Sequence, residues 1–159
     1  MAAPVNYTTR IDATQTVAEM QALLARHGAR RISVDYGTSG VPAALDFMLE
    51  TPHGMRSFSL PVDAGRMKRL LEKEEQVGRL KTGSKSERTS LEQAERVAWR
   101  VMKTWLEAQL ALVAAELVDL DQAMFSYLQV GPAGETLYEV YRTRENLALT
   151  DGTNRKRGS

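Results

Sequence analysis

The stretch SLEQAERVAWRVMKTWLEAQLALVAAE, residues 90–116, decides how the rest of the chain is read. Ser90-Leu91-Glu92-Gln93 has the form of a capping box, in which side chains at both ends satisfy the free amides of a first helical turn. Glu92 and Arg96 are spaced for an ion pair on a helix surface. Leu91, Ala94, Ala98, Val101, Trp105, Ala108, Leu112 and Ala115 recur at helical spacing, which predicts one long helix from Ser90 to about Glu116. Its second half, WLEAQLALVAAELV at 105–118, is apolar almost all round, interrupted only by Glu107, Gln109 and Glu116. A helix of that kind needs cover on several sides, from its own domain or from a second chain, so a homodimer through 105–118 is one expectation. The stripe assigns Trp105 to the core. Trp99 falls beside Glu95, Arg96 and Lys103, on the flank of the polar side. It either packs beneath the preceding loop or stands exposed beside Arg96, Arg100 and Lys103, as a protein hot spot or a base-stacking platform.

Upstream of that helix the periodicity changes to two. Residues 5–11 alternate Val5, Tyr7, Thr9 and Ile11 against polar neighbours and read as a strand. Thr16-Val17-Ala18-Glu19 reads as a capping box, with Val17, Met20, Leu23 and Leu24 behind it and Gly28 as the helix stop. Residues 31–36, 41–50 and 55–60 read as three strands joined by the turns Gly37-Thr38-Ser39-Gly40 and Thr51-Pro52-His53-Gly54. Those loop lengths predict Val34 opposite Ala43, Ile32 opposite Leu45, Arg31 opposite Asp46, Phe47 opposite Phe58 and Leu45 opposite Leu60. Asp63 caps a further helix carrying Met67, Leu70 and Leu71. Asp119 caps a short one carrying Met124 and Leu128, and residues 135–141 fit a strand or a helix equally. The expected fold is therefore α+β: a small antiparallel sheet in the order β-α-β-β-β, packed against helices, with a long helix in the C-terminal half. Residues 1–144 form one domain in this reading, with 78–89 an exposed basic loop and 145–159 a flexible basic tail.

Composition narrows the chemistry. A chain of 159 residues, 43% hydrophobic, is long enough for a single packed core. It has no cysteine, which removes disulfides, thiol catalysis and cysteine-bound metals. MAAPVNYTTR has no apolar run of a secretory signal, and no segment has membrane-spanning length. Net charge is only +1, but residues 61–90 carry eight Lys/Arg against five Asp/Glu, while residues 91–144 carry five against eight. The excess gathers at 79–88 and in Arg155-Lys156-Arg157. A dedicated duplex-DNA binder shows a stronger basic footprint.

Catalytic patterns do not emerge. His27 reads as a helix end and His53 as a turn, with no metal-binding spacing between them. Gly37-Thr38-Ser39-Gly40 leads into a strand, whereas a phosphate cradle needs a helix behind it. Asp35, Asp46 and Asp63 are the carboxylates nearest the sheet, and the expected register pairs Asp46 with Arg31 rather than Asp35. No catalytic, cofactor or metal residue is expected, and an enzyme with a site of unfamiliar form is the weakest reading.

The segments VAEMQALLARHGARRISVDY, ALDFML, SFSLPVD, AERVAWRVMKTWLEAQLALV and DLDQAMFSYL resemble small proteins of bacteriophages and integrated mobile elements. The resemblance covers residues 5–141, apart from 78–89, and is most specific in AWR-x3-TWLEAQLAL. It implies the product of a phage or mobile-element accessory gene, acting in the bacterial cytoplasm on DNA or on host machinery; with no catalytic set in the sequence, a non-enzymatic accessory protein is expected. One expectation is a component of a nucleic-acid-processing complex, with Arg79, Lys81, Lys85 and Arg88, joined by Arg96, Trp99, Arg100 and Lys103, as its contact. The alternative is an inhibitor that grips a protein of a host defence system.

Overall fold

Three antiparallel strands, β1 (Arg31–Tyr36), β2 (Pro42–Thr51) and β3 (Gly54–Pro61), form a sheet in sequence order. The computed structural model describes residues 5–81 and 83–143. The inner face of the sheet carries Leu45, Phe47, Leu49, Phe58 and Leu60, all buried. Over it lie α1 (Ala13–Arg26) and α4 (Leu91–Ala114), which supply Val17, Met20, Leu24, Trp99, Leu106 and Leu110 to one core. The Phe47 and Phe58 rings stack at its centre, 5.5 Å apart. The architecture is α+β, with the long helix where the sequence puts it. The expected basic tail 145–159 lies outside the described residues.

The β2–β3 register is the expected one, with Phe47 opposite Phe58 and Leu45 opposite Leu60. The β1–β2 register is shifted by two: Val34 faces Leu45, Ile32 faces Phe47 and Arg31 faces Met48. A bulge between Asp35 and Tyr36 causes part of the shift, and pairing resumes at Pro42, which has no amide to donate to a regular ladder. Because side chains alternate, a two-residue slip keeps the inner face inward and changes only who sits opposite whom. The expected Arg31–Asp46 pair is thus replaced by Asp46 opposite Ser33 and Ser59.

Residues 5–11 are not a strand. Val5–Thr8 is a turn of 3-10 helix, and the carbonyls of Tyr7 and Thr9 accept from Nε2 of buried Gln93, at 3.3 and 2.9 Å. A side chain of α4 supplies the partner that a neighbouring strand would otherwise give. Helix α1 begins one turn earlier than its capping-box reading. Asp12 occupies the N-cap, and Thr16 is buried within the first turns. Gly28 ends it at φ +91°, as expected of a left-handed stop.

Beyond the sheet, α2 (Ala64–Gln76) is capped by Asp63, whose Oδ1 accepts from the Arg66 amide at 3.0 Å. It packs on the first half of α4 and builds a second core from Leu71, Leu80, Ala94 and Val97, with Tyr7 and Met67 at its edge. The segment expected as an exposed loop thus contributes Leu80, 4% exposed, and forms a short helix α3 (Lys85–Arg88). Its Ser84 cap and Glu87 satisfy each other's end of a capping box. Ser90 Oγ accepts from the Gln93 amide and starts α4. The helix ends at Ala114 with Glu116 at φ +60° and the Leu117 amide bonded back to the Leu112 carbonyl, a Schellman-type stop. After it come α5 (Leu120–Ala123), the two-residue strands β4 (Gln129–Val130) and β5 (Glu135–Thr136), and α6 (Leu137–Thr143). The ambiguous segment 135–141 is therefore mostly helical.

The buried side of α4 changes along its length. Gln93, Ala94, Val97 and Ala98 are buried in its first half, and Trp99, Leu106 and Leu110 further on. At about 100° per residue these two sets point well apart around the helix. Of the two readings of Trp99 the buried one holds, against the sheet rather than beneath the loop, and Trp105 lies at the edge of the core rather than within it. Trp99 is 0% exposed, and its Nε1 donates to the Pro42 carbonyl at 3.0 Å. Trp105 is half-buried, edge-on to Tyr127 at 5.1 Å.

Candidate interaction surface

Most of the cations expected to face phosphate face carboxylates of the same chain. Arg79 reaches Glu74 at 3.1 Å. Arg88 holds Glu75 with two parallel bonds of 2.8 and 2.6 Å, and also donates to the Gly83 carbonyl. This fork-to-fork geometry is the strong form of a charge pair. The Arg88 guanidinium accordingly holds the Glu75 carboxyl below its usual range. Arg96 pairs with Glu92 at 3.0 Å and Asp12 at 3.4 Å. Arg100 and Lys103 both grip Glu19 on α1, at 2.5 and 3.0 Å, and Lys103 also reaches Glu107. Two residues of the expected set, Lys81 and Lys85, are exposed and make no ion pair within 4 Å among the described residues. Trp99 is not a stacking platform, since no part of its ring reaches solvent.

The cluster around Glu19 joins α1 to α4 and has a pH signature. Arg100, then Lys103, lowers the Glu19 carboxyl to about 2 from 4.5. A carboxyl whose folded value is depressed stabilises fully above its unfolded value and loses that contribution as pH falls toward the folded one. A Glu19→Gln variant should melt below wild type at neutral pH. The gap should narrow as pH falls from about 4.5 to about 2, because wild type loses the same contribution there. Added salt should shrink it too, because the cluster is partly exposed. Melting curves of both proteins across that range are the check, and a gap that stays constant with pH would remove the ionic role.

Two further arrangements bring distant residues together. His53, on the β2–β3 turn, donates from Nδ1 to Asp121 at 2.7 Å and ties that turn to α5. The two are 68 positions apart, and neither sits in a pattern that signals the other. On the outer face of the sheet, Asp35 and Asp46 come close enough to interact, contrary to the expected Arg31 partner. Burial first, and then the Asp35 charge, pushes the Asp46 carboxyl up, while the Ser59 hydroxyl opposes them. Among the described residues no group of three or more His, Asp or Glu side chains converges to hold a metal ion.

The remaining feature is apolar. Past Ala98, one side of α4 is left open to solvent. Val101 is 39% exposed and Leu112 38%, with Ala108 and Ala115 exposed between and beyond them. At the start of this strip Val101, Met102 and Trp105 meet Pro61, Val62 and Met67 around a groove of about 320 Å³. The second half of α4 is apolar on most sides, as the sequence requires, but the fold covers only the side bearing Leu106 and Leu110. Isolated exposed leucines need no explanation, whereas a contiguous strip beside an apolar groove is the form of a docking surface.

Comparison with known proteins finds no match: no family model, no curated relative and no solved structure corresponds to the chain.

Proposed function

We propose that this chain is a non-enzymatic accessory protein that works by docking the open side of α4 onto another protein. The observation that carries this reading is the uncovered strip from Val101 to Ala115 and its groove. Protein interfaces place apolar and aromatic side chains at their centre and keep charge at the rim, and the strip has that composition. The resemblance to phage and mobile-element proteins agrees with an accessory role, of which an inhibitor gripping a host complex is one form. A nucleic-acid role has narrower support, because Arg79, Arg88, Arg96, Arg100 and Lys103 each face a carboxylate of the same chain that offsets their charge toward phosphate. That role rests on Lys81 and Lys85.

Affinity capture from a bacterial lysate, with and without nuclease, separates the two. Docking predicts a bound protein that survives nuclease and is lost with Leu112→Arg, a substitution on an exposed position. The nucleic-acid role predicts the reverse, with capture abolished by nuclease and by Lys81→Gln with Lys85→Gln. The log–log salt dependence would then flatten by about 0.7–0.9 for each phosphate contact removed.

A further inference from the structure

We propose that the open side of α4 takes a second copy of this chain, packed antiparallel about a two-fold axis near Leu106–Glu107. This rests on the protein-docking reading and names the partner.

Ala98, Val101, Trp105, Ala108, Leu112 and Ala115 follow one another by alternating steps of three and four. That is the spacing of a helix-pairing seam. Within one copy the seam is covered at Ala98 and open from Val101 onward, with Tyr127 against one edge of Trp105. The groove lies at the Val101 end, and Leu112 stands out at the other, about 16 Å along the helix. A hollow and a projection of the same chemistry, at opposite ends of one helix, complement each other under a two-fold rotation.

The antiparallel register that opposes seam positions pairs Ala98 with Ala115 of the second copy, Val101 with Leu112, and Trp105 with Ala108. Each large side chain at the centre then meets a small one, and Leu112 approaches the groove. A parallel pairing would instead stack Trp105 on its equivalent and leave the groove empty.

Charge also favours a second copy. The residues of α4 flanking the seam, Met102, Thr104, Gln109 and Ala111, are uncharged, so the two helices meet without like-charge opposition, and the groove beside them carries one carboxylate, Asp63. Arg100 and Lys103 are engaged with Glu19, away from the seam, and Glu107 with Lys103. The open part of the seam, Val101 to Ala115, spans about 21 Å, so even with the groove the contact is a small one, at or below about 1,200 Å² in total. A dimer that dissociates in the micromolar range is expected.

Sedimentation of the full chain across an approximately hundredfold range of concentration tests this. The mass should double for wild type. Leu112→Arg should remain at monomer mass where wild type is mostly dimeric, a weakening of at least about tenfold, with unchanged circular dichroism. Ala115→Arg, also on an exposed position, serves as the second variant. Orientation is read by cross-linking, because the chain has no cysteine of its own. A cross-linker shorter than about 10 Å, the spacing of packed helix axes, should join two copies of Ala108→Cys. It should not join two copies of Ala115→Cys, which the antiparallel register sets about 25 Å apart along the axis. Equal cross-linking at both positions would overturn the antiparallel pairing. Monomer mass throughout for wild type would overturn the second copy as partner, and dimers that survive both arginine variants would overturn the open side of α4 as the contact between copies. Monomeric wild type with a nuclease-resistant capture that still needs Leu112 would leave the docking reading standing; loss of both would end that reading too.

Discussion

Replacing Trp99 by alanine should cost about 3–5 kcal/mol and lower the melting temperature by roughly 10–15 °C. The indole is fully enclosed between the sheet and α4, so its removal leaves a cavity among side chains held by both elements. It also removes the donor to the buried Pro42 carbonyl. Trp99→Phe separates the two contributions. It keeps most of the apolar contact, leaves the carbonyl unpaired, and should cost about 1–3 kcal/mol on that account. Trp105→Ala should cost distinctly less than Trp99→Ala, because Trp105 is half-buried and meets Tyr127 on one side. Thermal and denaturant melts of the three variants give the order. A larger loss at Trp105 than at Trp99 would contradict this helix phase.

Excising residues 79–88 in favour of a short Gly/Ser linker should also destabilise the protein strongly. Closure entropy by itself makes such a change nearly neutral, since loop length enters only logarithmically. This segment does more than connect. Leu80 is the buried member it lends to the core between α2 and α4, and loss of a buried leucine costs about 2–5 kcal/mol. Arg88 closes the segment onto Glu75 with its two bonds. Leu80→Ala within the full-length segment should therefore reproduce most of the loss, whereas Lys81→Gln with Lys85→Gln should leave stability unchanged to within about 0.5 kcal/mol. Excision with an unchanged melting temperature would mean that the second core does not need Leu80.

The α4 segment sets out how a candidate surface becomes legible. Its capping residue Ser90, its Glu92–Arg96 pair and its apolar excess are all local, and each is found where the residues place it. What the local pattern does not contain is which apolar side the fold covers at each level. Covering is a property of neighbours: α2 lies over the first half of the helix, and the sheet, α1 and α5 over the opposite side further along. Trp99 is therefore enclosed and Trp105 left at the edge of the core, although both sit on the same helix. The partners of the basic residues are hidden from the sequence for a related reason. Counting Arg79, Arg88, Arg96, Arg100 and Lys103 gives a positive patch only while Glu74, Glu75, Glu19 and Asp12 are ignored, and those partners lie five to eighty-four positions away.

The sequence by itself determined the antiparallel meander, the inner faces of its strands, the Asp63 and Ser90 helix starts and the Gly28 stop. Alternation, capping and left-handed glycine act over a few residues and need no distant contact. Tertiary structure alone decided the two-residue shift of β1, the turn in place of the first strand, the His53–Asp121 contact and the enclosed position of Trp99. Each depends on a partner far along the chain, such as Gln93 reaching the carbonyls of Tyr7 and Thr9. The open strip on α4 belongs to both levels. The sequence supplies more apolar surface than one face can bury, and the fold, by covering Leu106 and Leu110, leaves Val101 and Leu112 to solvent.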